Sequence, residues 1–255
     1  MKIATWNVNS LKVRLPQVLG WLVANPVDVL CLQEIKQQDE DFPQAELQAA
    51  GYRAVFSGQK TYNGVAILSR EPASDVQFDI PGFADEQKRL IAATINSVRV
   101  VCIYVPNGQS VDSDKYYYKL SWLIAMRNWL REELTRYPEL ILLGDYNIAP
   151  EDRDVYDPAV WLGNVLVSEA ERIQFRRLLE LGLHDSFRLF EQAEKSFTWW
   201  DYRMLAFRRN HGVRIDHILI SEPLVARCKS CVVDRTPRKL ERPSDHAPVV
   251  AEIQE

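Results

Sequence analysis

Residues 140–147 read LILLGDYN: four consecutive apolar side chains, a glycine, an aspartate and, two positions on, an asparagine. A strand this apolar has no face to spare for water, which predicts a sheet covered on both sides. The carboxylate at its end then needs a reason, because an unpaired charge beside a buried strand is costly. The same shape recurs along the chain. KIATW (2–6) leads to Asn7 and Asn9, and DVLCLQ (28–33) leads to Glu34. RIDHILI (214–220) holds Asp216 and His217, and Asp245 with His246 precedes APVVAEI (247–253). Five apolar strands that end in, or are interrupted by, carboxamide, carboxylate or imidazole point to one shared site.

Working outward, period and composition predict strands over 2–8, 27–33, 52–56, 64–69, 90–95, 98–105, 140–145, 214–220 and 248–253. Helices are expected after Ser10, over about 115–136 and over 168–181, with Pro16 tolerated as a first-turn residue. The polar stretch DYNIAPEDRDVYDPAVWLGN (145–164) reads as a long loop, and loops of that length inside a domain are often functional. No fixed-period repeat, low-complexity tract or Gly/Ser linker divides the 255 residues, so one domain over 1–255 is expected.

Composition narrows the class. With 47% hydrophobic and 26% charged residues the chain is neither disordered nor collagenous, and it has no run near the 18 to 20 apolar residues of a membrane span. The start, MKIATWNVNSL, turns polar by position 7, too early for a secretory signal, which leaves the cytoplasm as the expected location. Cys31 and Cys102 lie in apolar runs, and Cys228 and Cys231 form a lone C-x-x-C without a second pair, so four reduced thiols without a role are expected. The net charge of −4 argues against a nucleic-acid partner. It is unevenly spread, however. Between Arg203 and Arg242 ten Lys and Arg stand against four acids, a local +6 that leaves −10 elsewhere.

Each strand-end residue also has an ordinary explanation. Asn7 could cap the helix after Ser10, Glu34 could pair with Lys36, and Asp145 with Asn147 could form an Asx turn. Taken together they suggest more. Carboxylates and carboxamides without a Cys/His cluster suit a hard cation, Mg²⁺ or Mn²⁺, and a His held by an Asp can meet charge building on phosphorus. The reaction class expected is metal-assisted phosphoester hydrolysis.

Eight stretches carry a family resemblance: WNVNS (6–10), LQE (32–34), GQKTYNGVAILS (58–69), YVPNG (104–108), LGDYNIAP (143–150), TWWDYR (198–203), RIDH (214–217) and SDHAP (244–248). In this order and spacing the chain resembles the exonuclease III family of Mg²⁺-dependent DNA repair nucleases, within the endonuclease/exonuclease/phosphatase superfamily. The resemblance implies an α/β fold: a four-layer sandwich of two mixed sheets face to face with helices outside. It implies that Glu34 binds the metal with help from Asn7, Asn9 and Asp245. Asp145 would deprotonate the attacking water, Asn147 would steady it, Tyr104 would contact a phosphate oxygen or assist the leaving group, and Asn107 would contact phosphate. Asp216 would orient His246 on the scissile phosphate, with His217, on the opposite face of the strand, left structural. Trp199, Val213 and Ile215 match a small apolar pocket for an abasic sugar.

On the substrate side, Phe197, Trp199, Trp200, Tyr202 and Phe207 interleave with Arg203, Arg208, Arg209 and Arg214, a pairing suited to bases and backbone phosphates, although any one of these aromatics could be core. One loop departs from the family pattern. Over 163–169 (GNVLVSE) Leu166, Val167 and Glu169 replace the usual small residue, aromatic and proline. A bulkier Leu166 is expected to narrow the opening for a flipped abasic nucleotide. The function expected is therefore a 3′ to 5′ exonuclease and 3′-end processing enzyme on double-stranded DNA, a monomer, with its internal abasic cut weakened. The rivals are an abasic-site endonuclease, a phosphatase for another phosphoester, and a non-catalytic DNA-end-binding module.

Overall fold

A computed structural model describes residues 1–254. Twelve strands form two six-stranded sheets. In chain order they are β1 (Lys2–Asn7), β2 (Val29–Gln33), β3 (Arg53–Ser57), β4 (Val65–Ser69), β5 (Ser74–Phe78), β6 (Leu90–Ile95), β7 (Val98–Tyr104), β8 (Leu140–Asp145), β9 (Leu183–Asp185), β10 (Asp216–Ser221), β11 (Cys228–Val233) and β12 (Val249–Ile253). One sheet runs β11-β12-β1-β2-β4-β3 and the other β5-β6-β7-β8-β10-β9. Each is mixed: β1 is parallel to β2 and β7 to β8, and the remaining neighbours are antiparallel. The helices are α1 (Leu11–Ala24), α2 (Gln44–Ala49), α3 (Asp114–Arg136), α4 (Pro158–Trp161), α5 (Glu169–Leu179), α6 (Ala206–Arg209) and α7 (Glu222–Val225).

Strand alternation builds three apolar layers. Ile3, Cys31, Ile67, Cys102, Ile141, Leu143 and Ile218 point between the sheets. Ala4, Trp6, Leu30 and Leu32 point the other way, under Val18, Trp21 and Leu22 of α1. Val101, Ile103, Leu140 and Leu142 pack under Trp122, Met126 and Leu130 of α3 and Phe175 of α5. The order helix, sheet, sheet, helix is the four-layer sandwich expected, and it explains why these strands carry no polar face.

Several local expectations need correction. Pro16 is the sixth residue of α1, not in its first turn, and it sits on the exposed face, where the carbonyl it leaves unpaired costs least. The 145–164 loop contains a 3₁₀ turn at Asp152–Asp154 and the short α4. Strands β5, β9 and β11 were not expected from period. In β11 a register shift between Cys228 and Ser230 lets residues three apart both reach the inter-sheet core, so the C-x-x-C is a bulged edge strand. All four cysteines are free and buried. No helix among the described residues is long and apolar enough to cross a membrane.

Candidate active site

The parallel pairs bring their ends to one edge of the sandwich. Asn7 closes β1, in register with Gln33 of β2, which places Glu34 one step beyond. In the other sheet Tyr104 of β7 and Asp216 of β10 both lie in register with Asp145 of β8. His246 arrives three residues before β12, antiparallel to β1. Gly144 makes the approach possible: with φ +150, a Cβ there would stand 1.9 Å from the Ile103 carbonyl oxygen. Asn9, Glu34 and Asn147 all adopt left-handed backbone (φ 44, 51 and 49), a local strain that collects at this edge.

One amide joins the sheets. Asn7 Nδ2 donates to Asp145 Oδ2 (2.9 Å) and to Glu34 Oε1 (2.8 Å). The backbone N–H of Asn147 donates to the other Asp145 oxygen (2.9 Å). Asn147 Nδ2 donates to the Val105 carbonyl, and its Oδ1 accepts from Asn107 Nδ2 at 3.1 Å. His246 Nδ1 lies 2.9 and 3.1 Å from the two Asp216 oxygens, with Nε2 turned toward Asp145 at 3.7 Å.

Asn9 and Asp245 stand one contact further out. Asn9 Nδ2 donates to Asp245 Oδ1 (3.0 Å), Trp199 Nε1 donates to Asp245 Oδ2 (3.0 Å), and Asn9 Oδ1 accepts from Lys36. The Lys36 ammonium also sits 2.8 Å from Glu34 Oε2, so a protein cation occupies the mouth of the carboxylate cluster.

Electrostatics separates the groups. Burial, reinforced by the carboxylates of Asp216 and Glu34, pushes Asp145 up to about 7 against the pull of His246 and Asn7. Burial alone would lower His246, but Asp216, Asp145 and Asp245 override it and raise the imidazole to about 10. It is therefore an imidazolium at neutral pH, a donor without a free lone pair. Burial, with the carboxylates of Glu34 and Asp145, holds the Tyr104 phenol well above its usual range, so it too keeps its proton. His217 is the opposite case. Burial and Arg214 lower it to about 4, and it donates from Nε2 to the Ile148 carbonyl while Nδ1 accepts from Arg214, a structural role.

The substrate-side residues divide. Val213 and Ile215 are buried with Ala149, Val155 and Leu166, against a partly buried Trp199. Leu166, itself at φ 79, thus lies in one apolar cluster with Val213 and Ile215, the residues expected to line an abasic-sugar pocket. Arg203, Arg208 and Arg209 are exposed, and Arg203 pairs loosely with Asp201. Arg214 is no phosphate contact: it is buried between Asp154 and Asp185. Phe197 and Trp200 are core residues, not stacking faces, and Arg235 and Arg238 stack over Trp200 and Phe207. Two of the ten cations of the basic stretch, Arg214 and Arg238, are therefore buried inside the fold.

Sequence reasoning missed Arg89, whose guanidinium lies 4.7 Å over the Tyr104 ring and donates to the Tyr104 carbonyl. It also missed Lys119, although a lysine on the apolar stripe Tyr116, Leu123, Met126, Leu130 of α3 is a legible anomaly.

Atoms of Glu34, Asp145 and His246 lie within 4.8 Å of one another. Carboxylate oxygens with carboxamides beside them are the donor chemistry that suits a hard divalent cation.

The sequence matches the Endonuclease/Exonuclease/phosphatase family over residues 4–246. It is 35% identical to the exodeoxyribonuclease III of Haemophilus influenzae, covering 99% of this chain and 100% of that protein. Its fold superposes on a 3′ phosphatase, NExo, from Neisseria bound to a product DNA hairpin (TM-score 0.98, 51% identity) and on an AP endonuclease from Archaeoglobus fulgidus (0.96, 42%), with full coverage of both chains in each case. Carboxylates gathered from two sheets, an Asp-held imidazolium and these matches along the whole chain lead to one assignment: the protein belongs to the endonuclease/exonuclease/phosphatase family, in its exonuclease III branch.

Proposed function

We propose that this chain is a Mg²⁺- or Mn²⁺-dependent exodeoxyribonuclease that works from the 3′ ends of double-stranded DNA and removes 3′-end blocks, as a cytoplasmic monomer. The observation that carries the chemistry is the Asn7 amide spanning Glu34 and Asp145, with His246 fixed by Asp216 on the opposite side.

Asp145 takes the proton of the attacking water; its raised pKa makes it an effective base near neutral pH, and the Asn147 N–H on its second oxygen fixes its orientation. His246 and the Asn107–Asn147 pair donate to the phosphate oxygens, and Asp216 keeps the imidazolium charged. Tyr104, protonated and braced by Arg89, reaches a phosphate oxygen or the leaving group. Glu34 would hold the cation with help from Asn7 and, one contact out, Asn9 and Asp245; Asn9 Oδ1 also accepts from Lys36, the side chain paired with Glu34. When bound, the cation offsets charge on the phosphate and acidifies water. Exposed Arg203, Arg208 and Arg209 contact the DNA backbone.

Leu166 decides among the family's activities. It packs on Val213 and Ile215, beside Trp199, leaving little room for an extruded sugar. Internal abasic incision is accordingly weak, and exonuclease with 3′-end processing dominates.

The test is a labelled duplex with recessed 3′ ends beside an abasic duplex, each with Mg²⁺ and with chelator. Metal-dependent release of 5′-mononucleotides with slow abasic incision is expected. Abasic cutting as fast as exonuclease removes the selectivity. Binding without release favours an end-binding module, and activity confined to small phosphoesters favours a phosphatase.

A further inference from the structure

Beside this site lies a lysine that the mechanism does not use. Lys119 of α3 and Glu171 of α5 are both fully buried and form an ion pair. An ammonium has three donors, and here all three are spent: on Glu171 Oε1, on the Asn107 carbonyl (3.1 Å) and on the Asn147 carbonyl (2.6 Å). Those two carbonyls belong to the residues whose side chains hydrogen-bond each other at the site. The loops after β7 and after β8 are thus gripped at one point beneath their functional amides.

Local packing fits this role. Gly108, next to Asn107, has φ +93, and a Cβ there would meet Lys119 Cδ at 3.2 Å and Val165 at 3.0 Å, so the turn lies directly on the lysine stem. Glu171 extends the grip to a third loop. It accepts the Leu166 N–H (3.0 Å) and the Ser168 N–H (3.1 Å) while closing the capping box of α5. Burying such a pair is expensive, and two apolar residues could fill the same volume at lower cost. Burial lowers the Lys119 pKa and Glu171 opposes that shift.

We propose that Lys119, compensated by Glu171, is a positioning residue that sets the Asn107–Asn147 amide pair against the substrate phosphate. The inference rests on the phosphodiester reading of the site. It names neither side chain as a catalytic group, because neither reaches the reacting atoms. A displacement of the amides by about 1 Å is the scale at which such support costs about 100-fold in rate.

The experiment compares wild type with Lys119→Met, Glu171→Met and the double variant, reading melting temperature, kcat and KM on a recessed duplex. Each single variant strands a buried charge and loses both stability and turnover. The double variant regains stability, since no charge is left unpaired, and keeps its KM within about 3-fold, but its kcat stays down about 100-fold because the carbonyls are no longer held. A double variant as stable as wild type with wild-type kcat overturns the proposal, since the pair would then be scaffold alone. If the double variant does not fold, Glu171→Gln carries the test: it keeps the ammonium on both carbonyls and retains kcat within about 3-fold at lower stability, and a loss near 100-fold overturns the proposal. A wild type inert on DNA defeats the reading of the site and this inference with it; an active wild type beside a fully active double variant defeats the inference alone.

Discussion

Asp145→Asn sets stability against turnover. In the folded protein the carboxyl is held to about 7 instead of its ordinary 3.8. Its folded pKa is raised, so this group favours the fold at low pH, and that contribution disappears as pH rises through 7. Above pH 7 the ionised form costs the fold on the order of 4 kcal/mol relative to the unfolded chain. Asparagine has the same shape and no charge, and it removes this cost. It brings a smaller penalty: both Asp145 oxygens accept N–H donors, from Asn147 and from Asn7, so one side of the new amide meets a donor, at about 1 to 3 kcal/mol. The net is a gain of about 1 to 3 kcal/mol at pH 8. Turnover moves the other way, falling about 10²- to 10⁴-fold with loss of the base, while duplex binding with Mg²⁺ stays close to wild type. Urea unfolding in chelator at pH 8 and pH 5, with nucleotide release measured in parallel, decides it. The gain should be present at pH 8 and shrink toward pH 5. Unchanged turnover would refute the assignment of the base, and a variant less stable than wild type at pH 8 would refute the electrostatic account.

Glu34→Gln should raise the Mg²⁺ concentration for half-maximal rate by about 10- to 100-fold, read from a metal titration; an unchanged requirement moves the cation elsewhere. Asp216→Asn removes the largest support for the His246 charge, so the alkaline limb of the pH–rate profile, set near 10 in the wild type, should fall by about 1 to 3 pH units. A limb that stays in place means the imidazolium is not the essential acid. Leu166→Gly suits the left-handed backbone at that position and empties the cluster around Val213 and Ile215, so abasic incision should rise about 10-fold or more relative to exonuclease; an unchanged ratio clears Leu166 of any part in selectivity.

The strand ends were legible because both faces of the central strands are buried, which leaves polar residues only where strands stop. The ordinary readings of those residues also hold in part. Asp145 does close an Asx turn with Asn147, and Glu34 does pair with Lys36. Each carboxylate gives one oxygen to local structure and turns the other toward Asn7. Sequence could not show that the Asn7 amide joins two sheets, since that contact spans 138 residues. The weak elements were missed for identifiable reasons. β9 has only three residues, β5 is a largely exposed edge strand, and β11 loses its period at a bulge. Arg214 looked like a surface cation because arginine usually is one, and only the tertiary placement of Asp154 and Asp185 makes it a strut.

The net charge finally reads as a statement about the cation. Around the site stand Glu34, Asp145, Asp216 and Asp245, against Lys36 and the charged His246, a formal excess of two negative charges once Asp145 ionises. That excess equals the charge of one divalent ion. Without the ion, a phosphate approaching within about 5 Å of an unneutralised carboxylate is repelled by on the order of 1 to 2 kcal/mol even when well screened. Chelator should therefore weaken DNA binding itself by about 10-fold at low salt, and Asp145→Asn should bind more tightly than wild type in chelator while matching it with Mg²⁺. Arg214 and Arg238 cannot help to override this repulsion, because both are buried within the fold. Equal affinity of wild type with and without the cation, measured by fluorescence anisotropy, would show that the exposed arginines suffice and that the carboxylates do not face the phosphate.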